Sequence, residues 1–110
     1  MQKDNLILKN NPILKDFQEY VIQLEKDRGF ENQNVIQKCL LLGEEMGELF
    51  KAVRKMESIS VDLKNSKIST VEEEIADILI YICAIANRYN IDIEKAFRNK
   101  EEMNKKRSWG

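Results

Sequence analysis

The side chains of this chain best suited to chemistry are carboxylates in two short acidic motifs. The first motif, GEEMGEL, contains Glu45 and Glu48, and the second, EEEIADIL, contains Glu74 and Asp77. Each pair is spaced i, i+3, so on a helix both carboxylates point to the same side. Two such helices facing each other would form a site made of oxygen ligands, which are the ligands that Mg²⁺ and Mn²⁺ prefer.

The chain contains no histidine, which excludes several common kinds of site from within one chain. Histidine-dependent serine and cysteine triads, zinc sites with histidine ligands and the Glu-x-x-His pairs of di-iron bundles all require an imidazole. Carboxylate chemistry with a hard cation remains.

Asp77 is the acidic residue that a purely structural role explains least well. It is the only charged residue between Ile75 and Ala86, in a predicted helix that is apolar on every side. Because burying an unpaired ion costs several kcal/mol or more, we expect Asp77 to be protonated, ion-paired or bound to metal. Glu74 lies one turn earlier, and a second carboxylate favours a cation over a simple ion pair.

The acidic residues of the first motif also have a structural interpretation. On a helical wheel, Glu44 and Glu48 lie with Lys51 and Lys55 roughly opposite the apolar side, as a solvent-exposed face would. Glu45 lies about 80° from the centre of the apolar side, so we expect it to be partly screened from water.

Composition and charge indicate one soluble helical domain spanning residues 1–110. Of the 110 residues, 43% are hydrophobic and 34% are charged, with one proline and four glycines, a balance that suits a helical protein. A net charge of −1 gives no overall attraction to nucleic acid or to an anionic membrane. No signal peptide pattern or membrane-spanning run is visible in the sequence, and we expect a cytoplasmic protein.

Capping and hydrophobic periodicity predict an all-α fold of four helices. The predicted helices are Pro12–Asp27 with Asn11 as its cap, Asn34–Met56, Thr70–Tyr89 and Ile93–Lys106 with Asp92 as its cap. Residues 57–69 are predicted to form a loop, in which a short turn around Val61–Leu63 is one option, and residues 108–110 a tail.

The second helix has a regular apolar seam, which predicts that this side packs along its length. The seam consists of Val35, Cys39, Leu42, Met46, Leu49 and Val53. Cys39 and Cys83 both lie among aliphatic residues, so we interpret them as buried structural thiols in a reducing compartment.

The fourth helix carries a stripe of basic and amide side chains. Lys100, Asn104 and Arg107 fall at i, i+4 and i+7, on one side of the helix. The stripe could bind phosphate, or it could be a basic helix C-terminus that interacts favourably with the helix dipole. A divalent cation together with Lys and Arg is the usual combination for binding a polyphosphate.

Together these motifs resemble those of the MazG-type, all-α nucleoside triphosphate pyrophosphatases. The resemblance runs from about Val35 to Arg107. It is carried by Glu-Glu-x-x-Glu at Glu44, Glu45 and Glu48, by Glu-x-x-Asp at Glu74 and Asp77, and by Lys-x-x-x-Asn-x-x-Arg at Lys100, Asn104 and Arg107.

The resemblance implies Mg²⁺-dependent hydrolysis of nucleoside triphosphates to monophosphate and pyrophosphate, with Mn²⁺ as a possible substitute. It implies that Glu45, Glu48, Glu74 and Asp77 bind the metal and that Lys100, Asn104 and Arg107 contact phosphate. The first helix would help to line the base pocket. Among the remaining carboxylates, Glu44 is the candidate general base.

The resemblance also implies a homodimer or a dimer of dimers. Independently, the third helix is apolar on all faces from Ile78 to Ala86, and three further helices of one small chain are too few to cover it. Two alternatives stay open at this point. One is the related phosphoribosyl-ATP pyrophosphohydrolase, and the other is a non-catalytic helical partner in which the apolar seams serve only association.

Overall fold

The computed structural model describes residues 4–58 and 69–107, which form four helices and, within those ranges, no strand. The helices are α1 (Leu14–Arg28), α2 (Val35–Met56), α3 (Val71–Arg88) and α4 (Ile93–Lys105). The predicted all-α fold is confirmed. The predicted turn at Val61–Leu63 and the tail at residues 108–110 lie outside the described residues.

Local capping chemistry explains most of the helix boundaries. Asn34 caps α2 by accepting from the backbone N–H of Gln37 at 2.9 Å, and the Gln37 side chain accepts from the Asn34 N–H at 2.8 Å. The Thr70 hydroxyl accepts from the backbone N–H of Glu73 at the start of α3, and Asp92 caps α4. These caps confirm the predicted starts of α2, α3 and α4.

The predicted cap of α1 was wrong. Asn11 has a φ of 53°, whereas an N-cap residue needs an extended backbone. Ile13 has that conformation, with φ −99° and ψ 173°, and its N–H donates to the Asp16 carboxylate at 2.8 Å. The helix therefore begins at Leu14, and Gly29 ends it with a φ of 75°, which glycine adopts without strain.

The core is small and lies where α1 packs against α3, beside the start of α4. Val21 of α1 and Cys83 and Ala84 of α3 are fully buried. Phe17, Leu79, Ile80 and Ile93 pack around them. The most extensive interface joins α2 to α3, α1 packs on α3, and α4 packs mainly against α1.

The side of α2 that faces α3 differs from the predicted seam. Lys38 and Ala52 are buried and Glu45 is half-buried, whereas Met46 and Val53 of the seam remain more than 40% exposed. The buried side is thus rotated by about 80° from the seam. The reason is that α2 is apolar over a wide arc, of which α3 covers only one part.

This rotation also corrects one of the two cysteine predictions. Cys83 is buried as expected, and burial raises the pKa of its thiol. Cys39 is exposed, because it lies on the part of α2 that turns away from α3. Both cysteines are free thiols.

A buried charge cluster fixes α1, α2 and α3 relative to one another. Arg88 of α3 binds both carboxylate oxygens of Glu25 on α1 at 2.8 Å, and Lys38 of α2 reaches the same carboxylate at 3.1 Å. The Lys38 ammonium also lies over the rings of Phe30 and Tyr81, with centroid distances of 5.1 and 5.4 Å. The ammonium therefore has both an anion and two aromatic faces as partners.

None of the described helices has the length and apolar character needed to cross a bilayer.

Candidate metal and phosphate site

The α2–α3 interface brings three of the predicted acidic residues together. Glu45, Glu74 and Asp77 each offer a carboxylate oxygen, and these oxygens lie within 4.8 Å of one another. Glu74 and Asp77 share a side of α3 because they are spaced i, i+3. Glu45 joins them because it lies at the centre of the α2 surface that faces α3. We refer to these three residues as the acidic cluster.

The buried member of the cluster is Glu74. The sequence pattern instead indicated Asp77 as the carboxylate that burial would force to find a partner. Glu74 is only 4% exposed, whereas Asp77 is exposed. The Ser69 hydroxyl donates to Glu74 Oε1. The second oxygen, Oε2, is buried and receives no hydrogen bond from an N–H or hydroxyl group of the described residues. A buried carboxylate oxygen without a donor is costly, and a proton or a cation at this position would compensate it.

The electrostatics of the cluster agree with this need for a positive charge. A hydrogen bond with Glu74, then desolvation and the charges of Glu74, Asp77 and Glu48, raise the pKa of Glu45 to about 7. The pKa of Glu74 is lowered by its hydrogen bonds with Glu45 and Ser69, which outweigh its burial. Desolvation, followed by the negative charges of Glu74 and Glu73, raises the pKa of Asp77. Near neutral pH the cluster therefore holds a proton that a divalent cation can replace.

The donor set fits a hard divalent cation. All three side chains are carboxylates on helices, and neither sulfur nor imidazole is among them. Oxygen donors of this kind suit Mg²⁺, Mn²⁺ or Ca²⁺.

The remaining predicted residues of the first motif lie at the edge of the cluster. Glu48 is half-exposed, lies outside the three-residue group and forms an ion pair with Lys51 at 3.6 Å. It is close enough for its charge to raise the pKa of Glu45. Glu44 is exposed, next to Glu45 in the chain. The metal role of Glu48 and the base role of Glu44 remain predictions.

The predicted phosphate-binding residues lie on a different element. Lys100 and Arg107 are exposed, and Asn104 is half-buried. Their helix, α4, packs mainly against α1, whereas the acidic cluster belongs to α2 and α3. The phosphate role of these residues remains a prediction.

Tyr81 borders the acidic cluster and was not anticipated from the sequence. Its pKa is raised by desolvation and then by the charges of Glu45, Asp77 and Glu44. Its spacing of four residues from Asp77 is the signal that could have placed it on the same side of α3. Ser69 was missed as well, because it precedes the helix and no helical spacing points to it.

Comparison with known proteins identifies the family of this fold and cluster. The family model described as the MazG nucleotide pyrophosphohydrolase domain matches residues 33–108, which is more than half of the chain. The chain belongs to the MazG nucleotide pyrophosphohydrolase domain family. The MazG match covers both acidic motifs and the basic stripe of α4.

Two relatives show how similar this chain is to known proteins. The crystal structure of iMazG from Vibrio DAT 722 is 31% identical, has a TM-score of 0.60, and is matched over 86% of this chain and 99% of its own. The dCTP pyrophosphatase 1 of Rattus norvegicus is 28% identical in an alignment of 100 residues that covers 87% of this chain. The present chain matches 59% of the length of the rat protein.

Proposed function

We propose that this protein is a divalent-metal-dependent nucleoside triphosphate pyrophosphohydrolase, which converts a nucleoside triphosphate to the monophosphate and pyrophosphate. The observation that carries the proposal is the acidic cluster itself. Three carboxylates converge within 4.8 Å, and the buried Oε2 of Glu74 receives no hydrogen bond from an N–H or hydroxyl group of the described residues. Membership of the MazG family supports the reaction type.

In this proposal Glu45, Glu74 and Asp77 bind the metal, with Mg²⁺ as the expected ion and Mn²⁺ as a substitute. Glu48 is a fourth ligand, which would exchange its contact with Lys51 for the ion. When bound, the ion neutralises phosphate charge and lowers the pKa of a coordinated water. The buried Glu74 is held by Ser69, so it offers a preorganised oxygen to the ion.

The other side chains bind substrate and move a proton. Lys100 and Arg107 would bind the triphosphate through charge-assisted hydrogen bonds, and Asn104 would donate to the same oxygens. Glu44 is exposed and is not part of the three-carboxylate group, so it can accept a proton from the attacking water. Tyr81 would close one side of the site, because it already lies beside the carboxylates.

We also propose that the active form is a homo-oligomer, a dimer or a dimer of dimers. The protomer has a Cα radius of gyration of 16.8 Å, against about 13 Å for a compact chain of this length. Its accessible surface is 8960 Å², about 2,600 Å² more than a folded monomer of this mass exposes. Buried on each of two copies, an excess of this size would total about 5,200 Å², which is at the upper end of what obligate interfaces bury.

The side of α2 opposite α3 is the surface that a second copy would cover. Along it lie Ile36, Leu40 and Phe50, which are 61–70% exposed. Gly43 and Gly47 lie between them, and nothing approaches within 4 Å of either Cβ position. The apolar side chains and the open glycines together allow a partner helix to pack closely.

The test of the function is pyrophosphate release from a panel of ribo-, deoxyribo- and oxidised nucleoside triphosphates, with Mg²⁺, with Mn²⁺ and with a chelator. Because the rat relative is named a dCTP pyrophosphatase, dCTP belongs in the panel, and phosphoribosyl-ATP tests the related activity. We expect release from at least one nucleoside triphosphate that requires the metal. Release from none of them would overturn the proposal.

A further inference from the structure

Gln18 of α1 makes an unusual set of hydrogen bonds for a glutamine. Its side chain is 8% exposed. Its Nε2 donates to the carbonyl of Ile91 at 2.7 Å and to Asn87 Oδ1 at 3.2 Å, and its Oε1 accepts from the N–H of Ile93 at 3.0 Å. Asn87 Nδ2 donates back to the Gln18 carbonyl at 2.9 Å. We refer to the Gln18 and Asn87 side chains as the clamp.

The clamp binds the backbone on both sides of Asp92, the N-cap of α4. Ile91 and Ile93 flank Asp92, the N-cap, and the Ile93 N–H is one of the amides that a helix start leaves without an intrahelical partner. The preceding residue Asn90 has a φ of 54°, so the chain turns sharply here. A side chain from another helix therefore fixes both the position and the direction of the first turn of α4.

A described hydrogen bond that ties α4 to another helix lies at its first residue, Ile93. None of its residues is buried, and Ile93, at its base, is the residue that packs against the core. Asn104 lies three turns beyond Ile93, so a 10° tilt at the base would move it by about 3 Å. A displacement of this size breaks hydrogen bonds to a bound phosphate.

We propose that Gln18 and Asn87 are positioning residues that set the direction of α4 and thereby place its phosphate-binding stripe. The proposal rests on the proposed function, because the phosphate role of Lys100, Asn104 and Arg107 is part of it. Neither clamp residue touches substrate. Both act through the start of α4, and so they affect phosphate binding and leave the acidic cluster unchanged.

The test compares Gln18→Met with Gln23→Met. Both variants replace a glutamine of α1 with a side chain of similar length, but Gln23 is exposed and, within residues 4–58 and 69–107, donates to Asp27 of its own helix. We expect Gln18→Met to raise KM for the nucleoside triphosphate at least five-fold and to raise the inhibition constant of inorganic tripolyphosphate by the same factor. Its Mg²⁺ affinity, measured by calorimetry without nucleotide, should stay within two-fold of that of Gln23→Met.

A second variant covers the case in which Gln18→Met fails to fold. Asn87→Ala removes the other half of the clamp, and we expect it to raise KM in the same direction by a smaller factor. If Gln18→Met folds, the variant that carries both Gln18→Met and Asn87→Ala should have no higher KM than Gln18→Met alone. Both changes disrupt the same clamp, so their effects on KM should not add.

The outcomes separate this inference from the proposed function. If the unaltered protein hydrolyses a nucleoside triphosphate while Gln18→Met and Asn87→Ala keep KM and tripolyphosphate inhibition within two-fold of Gln23→Met, the positioning role is wrong. A lower melting temperature without a change in KM would likewise overturn the positioning role, because it would show that the clamp only stabilises the fold. If the unaltered protein releases no pyrophosphate from any nucleoside triphosphate, the proposed function itself fails.

Discussion

Glu45 on α2 and Glu74 on α3 lie with carboxylate oxygens within 4.8 Å of each other, and their pKa values move in opposite directions. The pKa of Glu45 rises to about 7, while that of Glu74 falls below its ordinary value. Two carboxylates this close cannot both be charged without a compensating cation or proton. The pair therefore holds a proton below about pH 7, and above that pH it carries a second negative charge that a cation would compensate.

The first prediction concerns pH. Below about pH 7 Glu45 is protonated, so a metal ion must displace its proton in order to bind. We expect Mg²⁺ affinity to rise by up to roughly tenfold per pH unit between pH 5.5 and 7 and to level off above that, as one linked proton requires. Calorimetric titration in two buffers of different ionisation enthalpy measures the proton released. An affinity independent of pH from 5.5 to 8 would contradict the shared proton.

The second prediction concerns the phosphate stripe. Lys100→Ala should weaken catalysis by about 1.5–3 kcal/mol, the value of a charge-assisted contact, and by a similar amount for every base. Lys95→Ala is the matched control, because Lys95 is also exposed on α4 but points away from the stripe. The measurement is kcat/KM across the nucleotide panel. A variant that changes the ranking of bases while keeping the overall rate would place Lys100 at the base and not at the phosphates.

The third prediction concerns the stability of the buried charge cluster. Glu25→Gln leaves the buried Lys38 and the half-buried Arg88 without their anion, so it should lower the free energy of unfolding by about 3–5 kcal/mol. Urea unfolding beside Glu19→Gln, an exposed carboxylate on the same helix, measures the difference. A loss no larger than that of the control would show that Glu25 contributes nothing specific.

The contribution of Glu25 to the free energy of unfolding depends on pH. Burial alone would raise the pKa of Glu25, but hydrogen bonds from Arg88 and Lys38 outweigh it and leave the pKa below 4.5. The folded state therefore binds fewer protons than the unfolded state in the acid range, and stability from Glu25 is present above pH 4.5 and lost below it. The stability difference between the unaltered protein and Glu25→Gln should shrink as the pH falls below 4.5.

The starts of α2, α3 and α4 were predictable from the sequence because capping is local chemistry. Asn34 with Gln37, Thr70 with Glu73, and Asp92 all lie within three residues of the groups that they cap. The grouping of Glu74 with Asp77 was predictable for a similar reason, since three residues are close to one helical turn.

What the sequence did not reveal depends on contacts between distant parts of the chain. The apolar arc of α2 is too wide to show which part meets α3, so the exposure of Cys39 was missed. The burial of Glu74 depends on how closely α2 approaches α3. Glu25 and Arg88 are 63 residues apart, and Gln18 and Ile93 are 75 residues apart. No spacing within one helix could therefore indicate that either pair is in contact.

The fourth prediction concerns assembly. The protein should sediment as a dimer or a larger species at low micromolar concentration, and Phe50→Glu should shift it towards 12.9 kDa. A charge on the apolar side of α2 would be buried without a partner in the oligomer. Ile7→Glu is the control, because Ile7 is equally apolar and 87% exposed but lies outside α2. A fully active species of 12.9 kDa would rule out an obligate oligomer.

Product analysis of carboxylate variants decides whether the acidic cluster is the metal site of a pyrophosphohydrolase. Glu48→Gln and Asp77→Asn are compared with Glu72→Gln, an exposed carboxylate in the first turn of α3. We expect the unaltered protein and Glu72→Gln to form pyrophosphate and nucleoside monophosphate in equal amounts with Mg²⁺. Glu48→Gln and Asp77→Asn should lose this activity, keep their helical content and melt no lower than the unaltered protein in chelator. Full activity in Asp77→Asn, or a sharply lower melting temperature of that variant in chelator, would contradict the metal assignment.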